Sequence, residues 1–157
     1  MRRLMAMYVA ILAVASPGSL MAHHSLANHD TKTPVRVKGT VVEVHRINPH
    51  SIIFLEQIET DGTRQRWAVE GPAGFQLARR GVSPDFLKPG DVIEVCGYVP
   101  KDKTVWQIAA TAPEAVSLSG RLITAELLVM PDGREQSWGD YGFHQCFAPG
   151  YKDQHSK

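Results

Sequence analysis

From residue 35 the chain alternates apolar and polar side chains. "VRVKGTVVEVHRI" (35–47) has the two-residue period of a half-buried strand, rich in Val. Gly39 in its middle predicts a bend or bulge. Asn48-Pro49 predicts a turn, and "HSIIFLEQI" (50–58) a second strand. Asp61-Gly62 is a hairpin signal, and "TRQRWAVE" (63–70) reads as its return strand. After Gly71-Pro72 the period changes, and "AGFQLARR" (73–80) predicts a short helix stopped by Gly81. Lys88-Pro89-Gly90-Asp91 predicts a tight turn. Two more alternating runs follow, "DVIEVCGYV" (91–99) and "RLITAELLVM" (121–130). Residues 100–120 keep neither period and read as a long loop.

Three strands, a short helix and two further strands give an all-β fold with one short helix. The order fits a small five-stranded OB-like β-barrel. Another small sandwich or barrel would share the strand count; the helix between the third and fourth strands favours the OB arrangement. Residues 34–130 are assigned to the barrel and 131–157 to a C-terminal tail. Trp138, Tyr141 and Phe143 in the early tail can pack on the barrel.

The front of the chain reads differently. Met1-Arg2-Arg3 is positive, "LMAMYVAILAVA" (4–15) is apolar, Pro17-Gly18 breaks a helix, and Ala22 offers a small residue for cleavage. This is the plan of a signal peptide, assigned to residues 1–22, followed by an N-terminal arm over 23–33. Cleavage after Ala15 also fits the small-residue rule, but it leaves no polar segment before the cut. The apolar run falls short of the roughly 20 residues that span a bilayer. The expectation is a periplasmic or secreted bacterial protein with no membrane span after processing. The chain carries 17 Lys and Arg against 16 Asp and Glu. Losing Arg2 and Arg3 leaves 15 against 16, a net charge of −1. That balance argues against nucleic acid as a partner; a protein or small-molecule partner stays open.

The export signal bears on the two cysteines. Cys96 and Cys146 are expected to form a disulfide in an oxidising compartment. Two free thiols, or a metal site with His144, are the alternatives.

The candidate chemistry centres on histidine. A cut after Ala22 exposes His23 and His24 at a new N-terminus. The α-amine and Nδ1 of His23 form a compact chelate, which one more imidazole extends to three nitrogens. Such a set suits Cu(II), with Ni(II) or Zn(II) next. His50 and His45, flanking the turn Arg46–Pro49, are the candidates for the extra imidazole. Glu70 could supply an oxygen or orient a histidine from behind. The competing account places His23 and His24 in a flexible leader. Asn48 then serves the turn by bonding its own backbone, and His50 is partly buried. A ligand face across the second and third strands is a further possibility, with Phe54, Arg64, Arg66 and Trp67 as its residues; Trp67 also fits a core position. Arg79 and Arg80 complement a helix end. No nucleophile elbow, phosphate loop or cofactor fingerprint supplies an enzyme mechanism.

Several phrases together carry a resemblance. They are His23-His24-Ser25, "NPH" (48–50), "WAVEGP" (67–72), "LARRGVSPDFLKPGD" (77–91) and "LLVMPDGR" (127–134). The chain resembles a family of small exported bacterial proteins classed as a domain of unknown function, from His23 to about Arg134. The tail "WGDYGFHQC" is similar to that of a longer branch. The resemblance implies an exported β-barrel and carries over no activity.

Overall fold

A computed structural model describes residues 26–101, 121–139 and 145–147. The expected leader, His23, His24 and His144 lie outside the described residues, as does most of the expected loop. The described elements are β1 (Val35–His45), β2 (Ile52–Ile58), β3 (Arg64–Glu70), α1 (Gly74–Arg79), β4 (Val92–Tyr98), β5 (Leu122–Val129) and β6 (Glu135–Ser137). A 3-10 turn, Leu26–Asn28, precedes them.

β1 pairs antiparallel with β2 on one side and with β4 on the other. β2 pairs with β3, and β4 with β5. Parallel pairing of β3 with β5 closes the ring, so the barrel order is β1-β2-β3-β5-β4. This is the all-β barrel with one short helix that the alternation predicts. β6 adds to β5 outside the ring.

Inward positions recur every second residue, as a strand's pleat requires. Val37, Val41, Ile53, Leu55, Val69 and Ile123 meet in the main core. Burying each such side chain contributes about 1.5–3 kcal/mol. Leu77 of α1 and Trp138, just past β6, complete that core. Trp138 stacks on Phe86 at 6.2 Å between ring centres. Gly81, at φ 77°, ends the helix.

Two β-bulges change which side chains face outward. In β1, Val41 pairs with Leu55 and Glu43 with Phe54, so Val42 is the extra residue. The bulge therefore sits at Val42 instead of Gly39. Gly39 answers a different need: a Cβ there would stand 2.8 Å from the Glu56 carbonyl oxygen of the neighbouring strand. Beyond the bulge, Glu43 and His45 share the Phe54 face. In β5, Leu127 pairs with Cys96 and Ala125 with Gly97, which makes Glu126 the extra residue. Gly97 lets the strands close there; its Cβ would fall 2.2 Å from the Thr124 carbonyl oxygen.

The outer side carries two further buried clusters. Ile52, Phe54, Ala68 and Leu122 form one, across β2, β3 and β5. Cys96, Leu127, Cys146 and Phe147 form the other. Cys96 and Cys146 are joined in a disulfide, 5.6 Å between Cα atoms, which ties residues 145–147 to the barrel.

Candidate functional site

The site grows from the register of three strands. Ile52 faces Glu70 across β2 and β3, and Glu70 faces Thr124 across β3 and β5. His50, two residues before Ile52, extends the same outward-facing row. The turn before it contains a cis peptide bond between Asn48 and Pro49. Backbone bonds from Ser51 N to Pro72 O and from Gly71 N to Ser51 O continue the ladder past the strand ends. His50 thus stands beside Glu70 at one end of the barrel.

Nδ1 of His50 lies 3.1 Å from Oε1 of Glu70 and 3.3 Å from the Gly71 carbonyl oxygen. The carbonyl only accepts, so Nδ1 carries a proton. Glu70 is 4% exposed. Its other oxygen, Oε2, accepts the Thr124 hydroxyl at 3.3 Å. Nε2 of His29 stands 3.1 Å from that hydroxyl oxygen.

His29 reaches this point because the arm before β1 is pinned to the barrel. His29 forms an isolated bridge with Pro100, Asp30 N bonds Val99 O, and Lys101 N bonds Asn28 O. The ring is 8% exposed. Burial first, and the nearby Lys101 cation second, push its pKa below the ordinary value. A run His29–Thr124–Glu70–His50 therefore crosses the β3–β5 junction, with one buried acid orienting two imidazoles.

The sequence reading named His50 and Glu70, and the structure brings them together. It missed His29 and Thr124. A lone histidine in an arm and a threonine in a strand carry no local signal, and 95 positions separate them.

The remaining candidates stand elsewhere. His45 gives Nε2 to Glu43 Oε2 at 2.8 Å and meets Phe54 edge-on at 5.7 Å. Arg66 bonds the other Glu43 oxygen at 3.0 Å and lies over the Phe54 ring at 4.7 Å. The His45 hydrogen bond, then Arg66, hold the Glu43 carboxyl below its ordinary range despite partial desolvation. Arg64 pairs with Glu56. Trp67 packs against the main core on the opposite face from Phe54 and donates Nε1 to Gln57 at 2.8 Å. Asn48 is exposed. Phe54 is 2% exposed, beneath Arg66 and His45.

Among the described residues, no three or more His, Cys, Asp or Glu side chains are gathered as a ligand set for a metal ion. No described helix is long and apolar enough to cross a membrane.

Residues 10–117 match a family of unknown function, DUF6152. The chain belongs to that family. In this DUF6152 chain the matched segment holds His29, His45, His50, Glu70 and Cys96. It stops before β5, so Thr124, Glu126 and Cys146 lie beyond it. No curated protein matches the chain.

Proposed function

We propose that the protein is an exported, periplasmic ligand-binding barrel that holds one copper or zinc ion. His50 supplies an imidazole from the barrel, and the processed pair His23 and His24 supplies the N-terminal chelate. The observation that carries this reading is the contact of His50 with buried Glu70. Metal-binding histidines are commonly held this way, with a carboxylate on the far ring nitrogen fixing tautomer and orientation. The pinned arm supports it too. His23 stands six positions before His29, a span of about 20 Å when extended. His45, on the same outward face beside Ile52, has its Nε2 engaged by Glu43.

The test uses protein recovered from the periplasm of expressing cells. Its mass and first residue are determined, and it is titrated with Cu(II) and with Zn(II). A chain beginning at His23 that holds one metal tightly, and loses it in His50→Ala, supports the reading. Correctly cut protein that holds no metal sinks it.

A second reading is a non-catalytic interaction module of an envelope complex. A groove of about 240 Å³ between Lys38, Val92, Glu94, Val129, Met130 and Pro131 favours it. Val92 there is 47% exposed. On this reading, replacing His23, His24 and His50 leaves partner binding intact.

A further inference from the structure

We infer that the arm over residues 26–30 is an acid-released strap, with the buried ring of His29 as its latch on Thr124. The inference stands apart from the metal-binding reading, since it needs neither a metal nor any residue before Leu26.

The strap grips the barrel through its backbone and one ring. The Asp30 N–H bonds Val99 O at 3.0 Å, and the Lys101 N–H bonds Asn28 O at 2.6 Å. His29 bridges Pro100 between them. Its Nε2 meets the Thr124 hydroxyl at 3.1 Å. By contrast, β2 is joined to β3 by seven residue pairs. The strap therefore opens at far lower cost than the barrel.

The latch holds in one protonation state. The Thr124 hydroxyl has a single hydrogen, which goes to Glu70 Oε2. Toward His29 the same oxygen accepts, so Nε2 of His29 bears a hydrogen. Nδ1 is buried and has no hydrogen-bond partner. Protonating it places a second N–H and a full charge where no acceptor stands.

The groups around the ring oppose that charge or are engaged elsewhere. Lys101, beside the strap, repels it. From β3, Glu70 reaches toward His29 through the Thr124 hydroxyl and is also engaged by His50. From β4, Tyr98 stands opposite Thr124 and gives its hydroxyl to Glu126. On the strap itself, Asp30 turns Oδ1 to the Lys32 N–H. Burial and Lys101 hold the pinned ring below its ordinary value of 6.5. Released into water, the ring regains that value. The strap is therefore fully held above pH 6.5. Below it, each pH unit shifts the balance toward release by at most about tenfold, until the pinned ring itself titrates. Release uncovers the Thr124 hydroxyl and leaves Val99 O and Lys101 N without their strap partners, an edge that another strand can pair.

Amide hydrogen exchange of the full protein, corrected for the intrinsic rate at each pH, reads strap and barrel separately. From about pH 7.5 to about 5.5 the Asp30 and Lys101 amides are expected to lose up to about tenfold in protection. Ala68 N, bonded to Arg121 O at the barrel closure, is expected to keep its own. His29→Gln retains a donor toward Thr124 and cannot titrate, so its strap protection is expected to be flat across that range. Lys101→Gln removes the repelling cation and is expected to shrink the loss at Asp30. That variant keeps the ring, and so reads the latch even where His29→Gln loosens the strap. Full protection of Asp30 and Lys101 down to about pH 5.5 overturns the inference. So does an equal loss in His29→Gln, an undiminished loss in Lys101→Gln, or a loss that Ala68 shares.

Discussion

Glu70 and Glu126 are both buried acids on the outer side of the barrel, 4% and 1% exposed, and they are held by opposite kinds of partner. Glu126 accepts the Tyr98 hydroxyl at 2.9 Å and the Cys146 backbone N–H at 3.3 Å. A phenol and an amide have no second basic nitrogen to present. Burial first, and Glu126 second, push the Tyr98 hydroxyl far above its ordinary value, so it remains a neutral donor. Glu70 is held by His50 and by Thr124, which passes the contact on to His29. Each imidazole there turns a second nitrogen away from the acid. One carboxylate locks the tail onto the barrel; the other aims two bases. Burial alone does not make an acid functional, and the chemistry of its donors separates the two cases.

The comparison can be broken at several points. The largest effect belongs to the Glu126 region. Removing the Cys96–Cys146 bridge, which spans 50 positions, is expected to cost about 4 kcal/mol in the loop-entropy account. Urea unfolding of the doubly Ala-substituted chain measures it, and metal affinity should be unchanged. Tyr98→Phe leaves the Glu126 carboxylate short of a donor, an expected loss of about 1–3 kcal/mol. Thermal unfolding reads that loss; a change in metal binding instead would mean that the two acids are not separate.

Glu70→Gln keeps the shape and removes the charge. It is expected to lower metal affinity by roughly 10–100-fold, and isothermal titration decides this. A variant that binds as tightly as the parent would remove Glu70 from the site.

The pH dependence is smaller. His29 has its folded-state pKa lowered from an ordinary value of 6.5, chiefly by burial. The unfolded chain therefore takes up a proton that the folded one refuses. The stability linked to His29 is whole above pH 6.5 and falls as pH drops below it, until the folded ring itself titrates. The slope is at most about 1.4 kcal/mol per pH unit. Unfolding at a series of pH values should show it in the parent and lose it in His29→Asn. The smallest effect is expected of His45→Ala. Its contact with Glu43 is open to solvent, so neither unfolding nor metal binding should move measurably.

Much of the barrel was legible because alternation and turn chemistry agree over residues 35–99 and 121–130. What was not legible is where the alternation slips. Val41-Val42 and Glu126-Leu127-Leu128 break the period, and only the paired strand shows that the slip is a bulge. The site was half legible for a related reason. His50 stands just before β2 and Glu70 ends β3, and one hairpin joins those strands, so their nearness follows from register. His29 and Thr124 meet them only through the parallel closure of β3 on β5, which no short stretch of sequence announces. Trp67 and Phe54 fall on neighbouring strands, yet the period of two and the register of Leu55 with Trp67 put them on opposite faces.

That parallel closure also sets an order of events. β5 is the last strand of the ring and pairs with both β3 and β4. Until Leu122–Val129 have been synthesised, β3 and β4 each keep an open edge, and Glu70 has no Thr124 beside it. Such non-local pairing is slow to form, and open edges recruit other chains. Until β5 is in place, those two edges stay open to pairing with other chains. A product truncated before residue 122 should persist as an aggregating, protease-sensitive species and never as a smaller barrel.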